Sequence, residues 1–155
     1  MLCVLTSACA GTSNSSYEHD TPQVYSIQSD DSLATLQIES TFAEFDLGDD
    51  LLLYIAKNSD VYIEIHNEGF TSNSDGSIED YLANSLPDSF TEDNTLHSEI
   101  LVYTDIDHNP PTLYFKEYLL ITDEYICRIL AYNNNSPNDY NEIDEIIETI
   151  TIDLN

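Results

Sequence analysis

The segment Val61-Tyr62-Ile63-Glu64-Ile65-His66 alternates strictly along the chain. Side chains of an extended strand point to opposite faces in turn. Val61, Ile63 and Ile65 therefore share one face, and Tyr62, Glu64 and His66 share the other. A helix would scatter the same residues around its axis. The pattern commits this part of the chain to an antiparallel sheet with one covered face and one wetter face. Leu51 to Lys57 supplies the partner arm, joined through a turn at Asn58-Ser59-Asp60.

Similar short runs recur on either side. Val24 to Ile27 reads as a strand, and so does Leu33 to Ile38, where Leu33, Thr35 and Gln37 lie opposite Ala34, Leu36 and Ile38. Phe42 and Phe45 are expected to anchor the core from an irregular stretch that ends in the turn Gly48-Asp49-Asp50. Gly69 to Gly76 reads as a polar loop. Three further strands are expected: His97 to Thr104, Leu113 to Thr122 and Glu124 to Tyr132, the last two joined by a tight hairpin at Asp123.

Two segments change to helical spacing. Ser77-Ile78-Glu79-Asp80 resembles a capping box, and Ile78, Tyr81, Leu82 and Leu86 follow on one face before Pro87 stops the helix. This predicts a helix over 78–85. After Asn133-Asn134-Asn135, Ser136 can cap a helix with Pro137 in its first turn and Asp139 beside them. Tyr140, Ile143, Ile146, Ile147 and Ile150 form an apolar stripe there, predicting a helix over 138–150. The expected fold is α+β: an antiparallel sheet of about six strands flanked by two helices.

The first ten residues, Met-Leu-Cys-Val-Leu-Thr-Ser-Ala-Cys-Ala, end an apolar run in small residues. Leu5-Thr6-Ser7-Ala8-Cys9 resembles the lipobox of bacterial lipoproteins. In that family the cysteine carries a diacylglycerol thioether and becomes the mature N-terminus. The resemblance implies lipid attachment at Cys9. A small, polar stretch follows, giving the expected organisation: a truncated signal and lipobox over 1–9, a flexible polar tether over 10–23, and a single α+β domain over 24–155. It also implies a place at the bacterial cell surface or in the periplasm, with the membrane reached only through the lipid.

Thirty acidic residues face three basic ones, Lys57, Lys116 and Arg128, for a formal net charge of -27. A phosphate backbone would be repelled, which argues against nucleic acid. An anionic bilayer surface would repel the domain as well. A charged partner is therefore expected to be a basic protein or peptide. Self-repulsion also favours a monomer.

Residues that could carry chemistry are few. Asn73-Ser74-Asp75-Gly76 resembles the middle of a calcium loop, but the acidic first ligand and the closing glutamate are missing, so a polar turn is expected. Asp105 and Asp107, next to His108 and Asn109, would put two carboxylates on one side of a strand as a weak oxygen-ligand site; the competing reading is a surface loop closed by Pro110 and Pro111. His19, His66, His97 and His108 show no metal-ligand spacing, and no nucleophile elbow or phosphate-binding glycine loop is present. Cys127 lies in an apolar run and is expected to be a small buried hydrophobe. The expectation is no catalytic residue, no metal and no cofactor. Tyrosine is plentiful at eleven. Tyr114 and Tyr118 share one strand face and Tyr62 and Tyr132 lie at open positions, which suits an interface as well as the edge of a core.

Three segments together resemble the PsbP/Mog1-like family. They are the helix opening Ser77-Ile78-Glu79-Asp80-Tyr81-Leu82, the last strand Tyr125-Ile126-Cys127-Arg128-Ile129-Leu130-Ala131-Tyr132, and the closing helix from Tyr140 to Ile150. The similarity covers residues 33–153. It implies that family's antiparallel sheet and helices, and an accessory, protein-binding role without shared enzymatic activity. The function expected is thus an extracytoplasmic, lipid-anchored, non-catalytic binding domain for a protein or peptide. An acidic immunity or inhibitor protein that masks a basic toxin or enzyme is the alternative.

Overall fold

The alternation in Val61–His66 is realised in the computed structural model as the centre of a large, mostly antiparallel sheet. The structure describes residues 17–73, 78–107, 115–136 and 138–155. Its strands are β1 (Glu18–Gln28), β2 (Ala34–Glu44), β3 (Leu51–Ala56), β4 (Val61–His66), β5 (Phe70–Ser72), β6 (Thr91–Glu92), β7 (Leu101–Asp107), β8 (Phe115–Ile121), β9 (Tyr125–Asn133) and β10 (Thr151–Leu154). The described residues also form two helices, α1 (Ile78–Asn84) and α2 (Asn141–Glu148). The main order is β1-β2-β3-β4-β9-β8-β7-β6, with β10 pairing β2 and β5 pairing β9. The fold class is α+β. Among the described residues the sheet has ten strands rather than about six.

The extra strands have identifiable origins. β2 runs on through Phe42, fully buried, where an irregular stretch was expected. It serves two partners on one edge: residues 34–37 pair β10, and Ala43 and Glu44 pair β3. β1 starts at Glu18, so residues 18–23 belong to a strand and not to a tether. Its first half is exposed and polar, yet it pairs with β2. The Tyr17 amide donates to the Lys57 carbonyl at 2.9 Å, and Lys57 Nζ lies 3.5 Å from Glu18. Backbone pairing makes no demand for apolar side chains, which is why composition misplaced this boundary.

β5 replaces part of the expected polar loop. A 3-10 turn over Asn67–Gly69 offsets the chain, after which Phe70, fully buried, opposes Cys127. Gly69 lies against β9: a Cβ there would meet the Arg128 carbonyl oxygen at 3.0 Å. Gly69→Ala is expected to cost about 1–3 kcal/mol through this overpacking, read as a lower urea midpoint with an unchanged slope.

The inner face carries Ile63 and Ile65 of β4, Tyr118 and Leu120 of β8, and Cys127, Ile129 and Ala131 of β9, all buried in one cluster. α2 closes it with Ile143, Ile146 and Ile147, and Ile150 follows just beyond. The expected stripe is thus present, but the helix starts at Asn141. Asn133 diverts the preceding segment: its amide donates to the Asp139 carbonyl at 2.6 Å and its side-chain oxygen accepts from the Ser136 amide at 3.0 Å. Ser136 is therefore held in a loop, and Asp139 meets the Asn141 amide at 3.3 Å instead. β7 begins at Leu101, leaving His97 in the loop before it. Pro137, Ser77 and the expected start of the strand at Leu113 lie outside the described residues, as does Cys9. No helix among the described residues is long and apolar enough to cross a membrane.

Candidate functional site

All three cations of the chain are engaged. Lys57 Nζ sits 2.7 Å from a Glu142 oxygen and 3.5 Å from Glu18. Arg128 donates through Nε to Glu117 on the neighbouring strand. Lys116 is 7% exposed, and its ammonium lies 2.6 Å from Asp144 of α2.

Lys116 belongs to a buried polar group between sheet and helix. Lys116 and Tyr118 share the inward parity of β8. The Tyr118 hydroxyl donates to the same Asp144 oxygen at 2.6 Å. The ammonium stands 4.8 Å from the Tyr118 ring centre and 5.9 Å from that of Tyr140. The Tyr140 hydroxyl is buried without a partner among the described residues. Burial, then the Asp144 charge, raises the Tyr118 phenol far above its ordinary range. Burial alone pushes Tyr140 up to about 12. Thr95 donates to Asp93, and with Lys116 nearby it helps to hold the Asp93 carboxyl below the usual carboxylate range. A lysine on the core parity of a strand must find an acid, and here it clamps α2 to the sheet. Tyr118, which suited an interface as well as the edge of a core, is fully buried.

The outer face of the sheet is different in kind. Tyr62, Tyr132 and Phe115 are directly opposed across β4, β9 and β8. Their rings form a row, continued by Tyr54, Phe45 and Tyr17. Tyr62 stacks on Tyr132 at 4.5 Å and on Tyr54 at 5.3 Å. Tyr132 meets Phe115 at 5.6 Å, Tyr54 meets Phe45 edge-on at 6.3 Å, and Phe45 meets Tyr17 edge-on at 5.1 Å. Cross-strand aromatic pairs of this kind stabilise a sheet by about 0.5–1.5 kcal/mol beyond area burial.

One step along the strands runs a second row: Glu64, Leu130, Glu117 and Asp105, again directly opposed. The Glu64 carboxylate reaches the aromatic row. Burial first, then Glu64, pushes the Tyr62 phenol up to about 12, and the same causes raise Tyr54 and Tyr132. Glu64 also lies 2.7 Å from His66 Nε2. At the far end of this face Leu119 and Ile121 are buried. Tyr81 of α1 lies within electrostatic reach of Arg128 and Glu117 there.

The remaining sequence candidates are dispersed. Asp105 lies on the outer face, while His108 and Asn109 lie outside the described residues, as do Tyr114 and residues 74–76 of the calcium-like turn. The Asn73 amide donates to the Glu124 carbonyl at 2.6 Å. Among the described residues no three His, Cys, Asp or Glu side chains converge to hold a metal ion. His97 is structural: Nδ1 accepts from the Glu99 and Ile100 amides at 3.1 Å, and Nε2 lies 2.8 Å from the Ile150 carbonyl. Cys127 is fully buried, and burial raises its thiol. A groove of about 720 Å³ opens beside β1, lined by hydroxyls, amides and aliphatic groups of Ser26, Gln28, Thr35, Leu52 and Asn67, with the Asp30 carboxylate.

Neither the clamp nor the aromatic row was singled out from the sequence as a unit. The clamp had a signal, since Lys116 shares its parity with Leu120. The row depends on strand register, which no local pattern carries. Comparisons with family models, with curated proteins and with solved structures find no match for this chain.

Proposed function

We propose that this chain is an acidic, non-catalytic binding domain of the PsbP/Mog1-like kind, held at a bacterial membrane by a lipid on Cys9, whose partner is a basic protein or peptide. The observation that carries the reading is the charge disposition. The net charge is -27, and each of Lys57, Lys116 and Arg128 is already spent on an acid of the same fold. The excess carboxylates therefore lack a counter-charge within the chain, and a cationic partner supplies one. Such a field speeds encounter and is screened beyond about 10 Å at 0.1 M salt.

The test immobilises the full chain, passes an extract of the source cell over it and elutes with a salt gradient. A basic protein is expected to bind stoichiometrically and to leave as salt rises. Retention of neutral or acidic proteins alone defeats the reading. Labelled palmitate incorporated by the wild type and lost in Cys9→Ser is the outcome expected for the anchor.

A further inference from the structure

We infer that the outer face of the sheet, centred on Glu64 and the tyrosine row, is the docking surface, and that its occupant is an extended segment bearing lysine or arginine. The inference rests on the acidic-module reading above and places its contact.

Three observations carry it. The Tyr54, Tyr62 and Tyr132 rings stack face to face across β3, β4 and β9 as a narrow amphipathic strip about 10 Å long, in which Tyr54 and Tyr62 are half-buried and Tyr132 is 8% exposed. Such a strip suits the aliphatic stem of a long cationic side chain. Glu64 stands against the middle of the strip, close enough to raise the phenols of Tyr54, Tyr62 and Tyr132 together. Its neighbour His66 is the side chain an incoming ammonium would join or replace. The face also holds one cation in this manner already. Arg128, with its side chain 52% exposed, bonds Glu117 in the acid row and lies within reach of the Tyr132 phenol. A second cation at Glu64 repeats that arrangement one strand pair away. Asp105, directly opposite Glu117, adds an acid to the same row. A second copy of this chain is the poorer occupant, because it would bring another -27 to the same surface.

The experiment titrates full-length wild type with a fluorescein-labelled octapeptide of alternating lysine and alanine at low salt, followed by anisotropy. Three variants, Glu64→Gln, Asp105→Asn and Glu148→Gln, each remove one charge, and circular dichroism melting confirms their folding. Glu148 is exposed on α2, away from this face. Glu64→Gln is expected to weaken binding about tenfold and Asp105→Asn severalfold, with Glu148→Gln within about twofold of wild type. Equal losses in all three would overturn the docking surface while leaving an acidic binder intact. No binding by the wild type would defeat the acidic-module reading itself. Should Glu64→Gln fail to fold, Asp105→Asn against Glu148→Gln still separates a localised contact from a diffuse one. A dimer seen in sedimentation and abolished by the face variants would assign the surface to a second copy and overturn the proposal.

Discussion

Asp144→Ala is expected to lower the unfolding free energy by about 3–5 kcal/mol, the range for removing one partner of a buried ion pair. Two groups lose their acceptor at once, the Lys116 ammonium at 2.6 Å and the Tyr118 hydroxyl at 2.6 Å. Water reaches neither easily: Lys116 is 7% exposed and Tyr118 fully buried. Asp93 is close enough to interact with Lys116, so the loss should fall toward the lower end of that range. Replacing the whole group is a different perturbation. The triple variant Lys116→Met, Tyr118→Phe, Asp144→Leu removes the ion pair and the Tyr118 hydroxyl together, so neither Lys116 nor Asp144 is left as an orphaned charge. It is expected to fall within about 1 kcal/mol of wild type. Urea denaturation of both proteins checks this, and a triple variant as unstable as Asp144→Ala would show that packing, not charge, holds α2.

Alkaline titration is expected to unfold the domain cooperatively between about pH 10 and 12. Free tyrosine ionises near 10. In the fold, Tyr62 and Tyr140 are pushed up to about 12, and Tyr118 and Tyr132 are raised further. A group whose folded value lies above its unfolded value stabilises fully below the unfolded value. That contribution is lost as pH climbs toward the folded value. Each phenolate formed also adds to a charge of -27, so self-repulsion acts in the same direction. Ultraviolet absorbance of phenolate should therefore rise in two stages. The later stage, that of Tyr62, Tyr118, Tyr132 and Tyr140, is expected to coincide with loss of circular dichroism. Smooth titration of all phenols with the fold intact would refute this coupling.

What could be read from sequence follows the range of the forces involved. The β3–β4 hairpin and the stripe Ile143, Ile146, Ile147, Ile150 were legible because period and turn chemistry are local. The start of α2 was not, because Ser136 and Pro137 carry a strong cap signal. Asn133, on the preceding strand, overrides it with two hydrogen bonds. Residues 18–23 looked like tether because their side chains are polar, whereas strand pairing there relies on the backbone. Phe70 was absorbed into a loop because two glycines bracket its neighbourhood. The tyrosine row needed the register of Tyr62 on Tyr132 and of Tyr132 on Phe115, which is set by the whole sheet. Its place in the fold was thus hidden even though Tyr62 and Tyr132 stood out individually.

The engagement of every basic side chain reaches beyond binding. Digestive enzymes that cut after lysine or arginine have three sites on the entire chain: one in a hairpin turn and two inside paired strands. Each recognition group is already held by a carboxylate of the same molecule. Hydrolysis after Lys116 or Arg128 therefore has to await opening of the sheet, and at those two sites the shelf life of the domain in a protease-rich surrounding is governed by how often it unfolds.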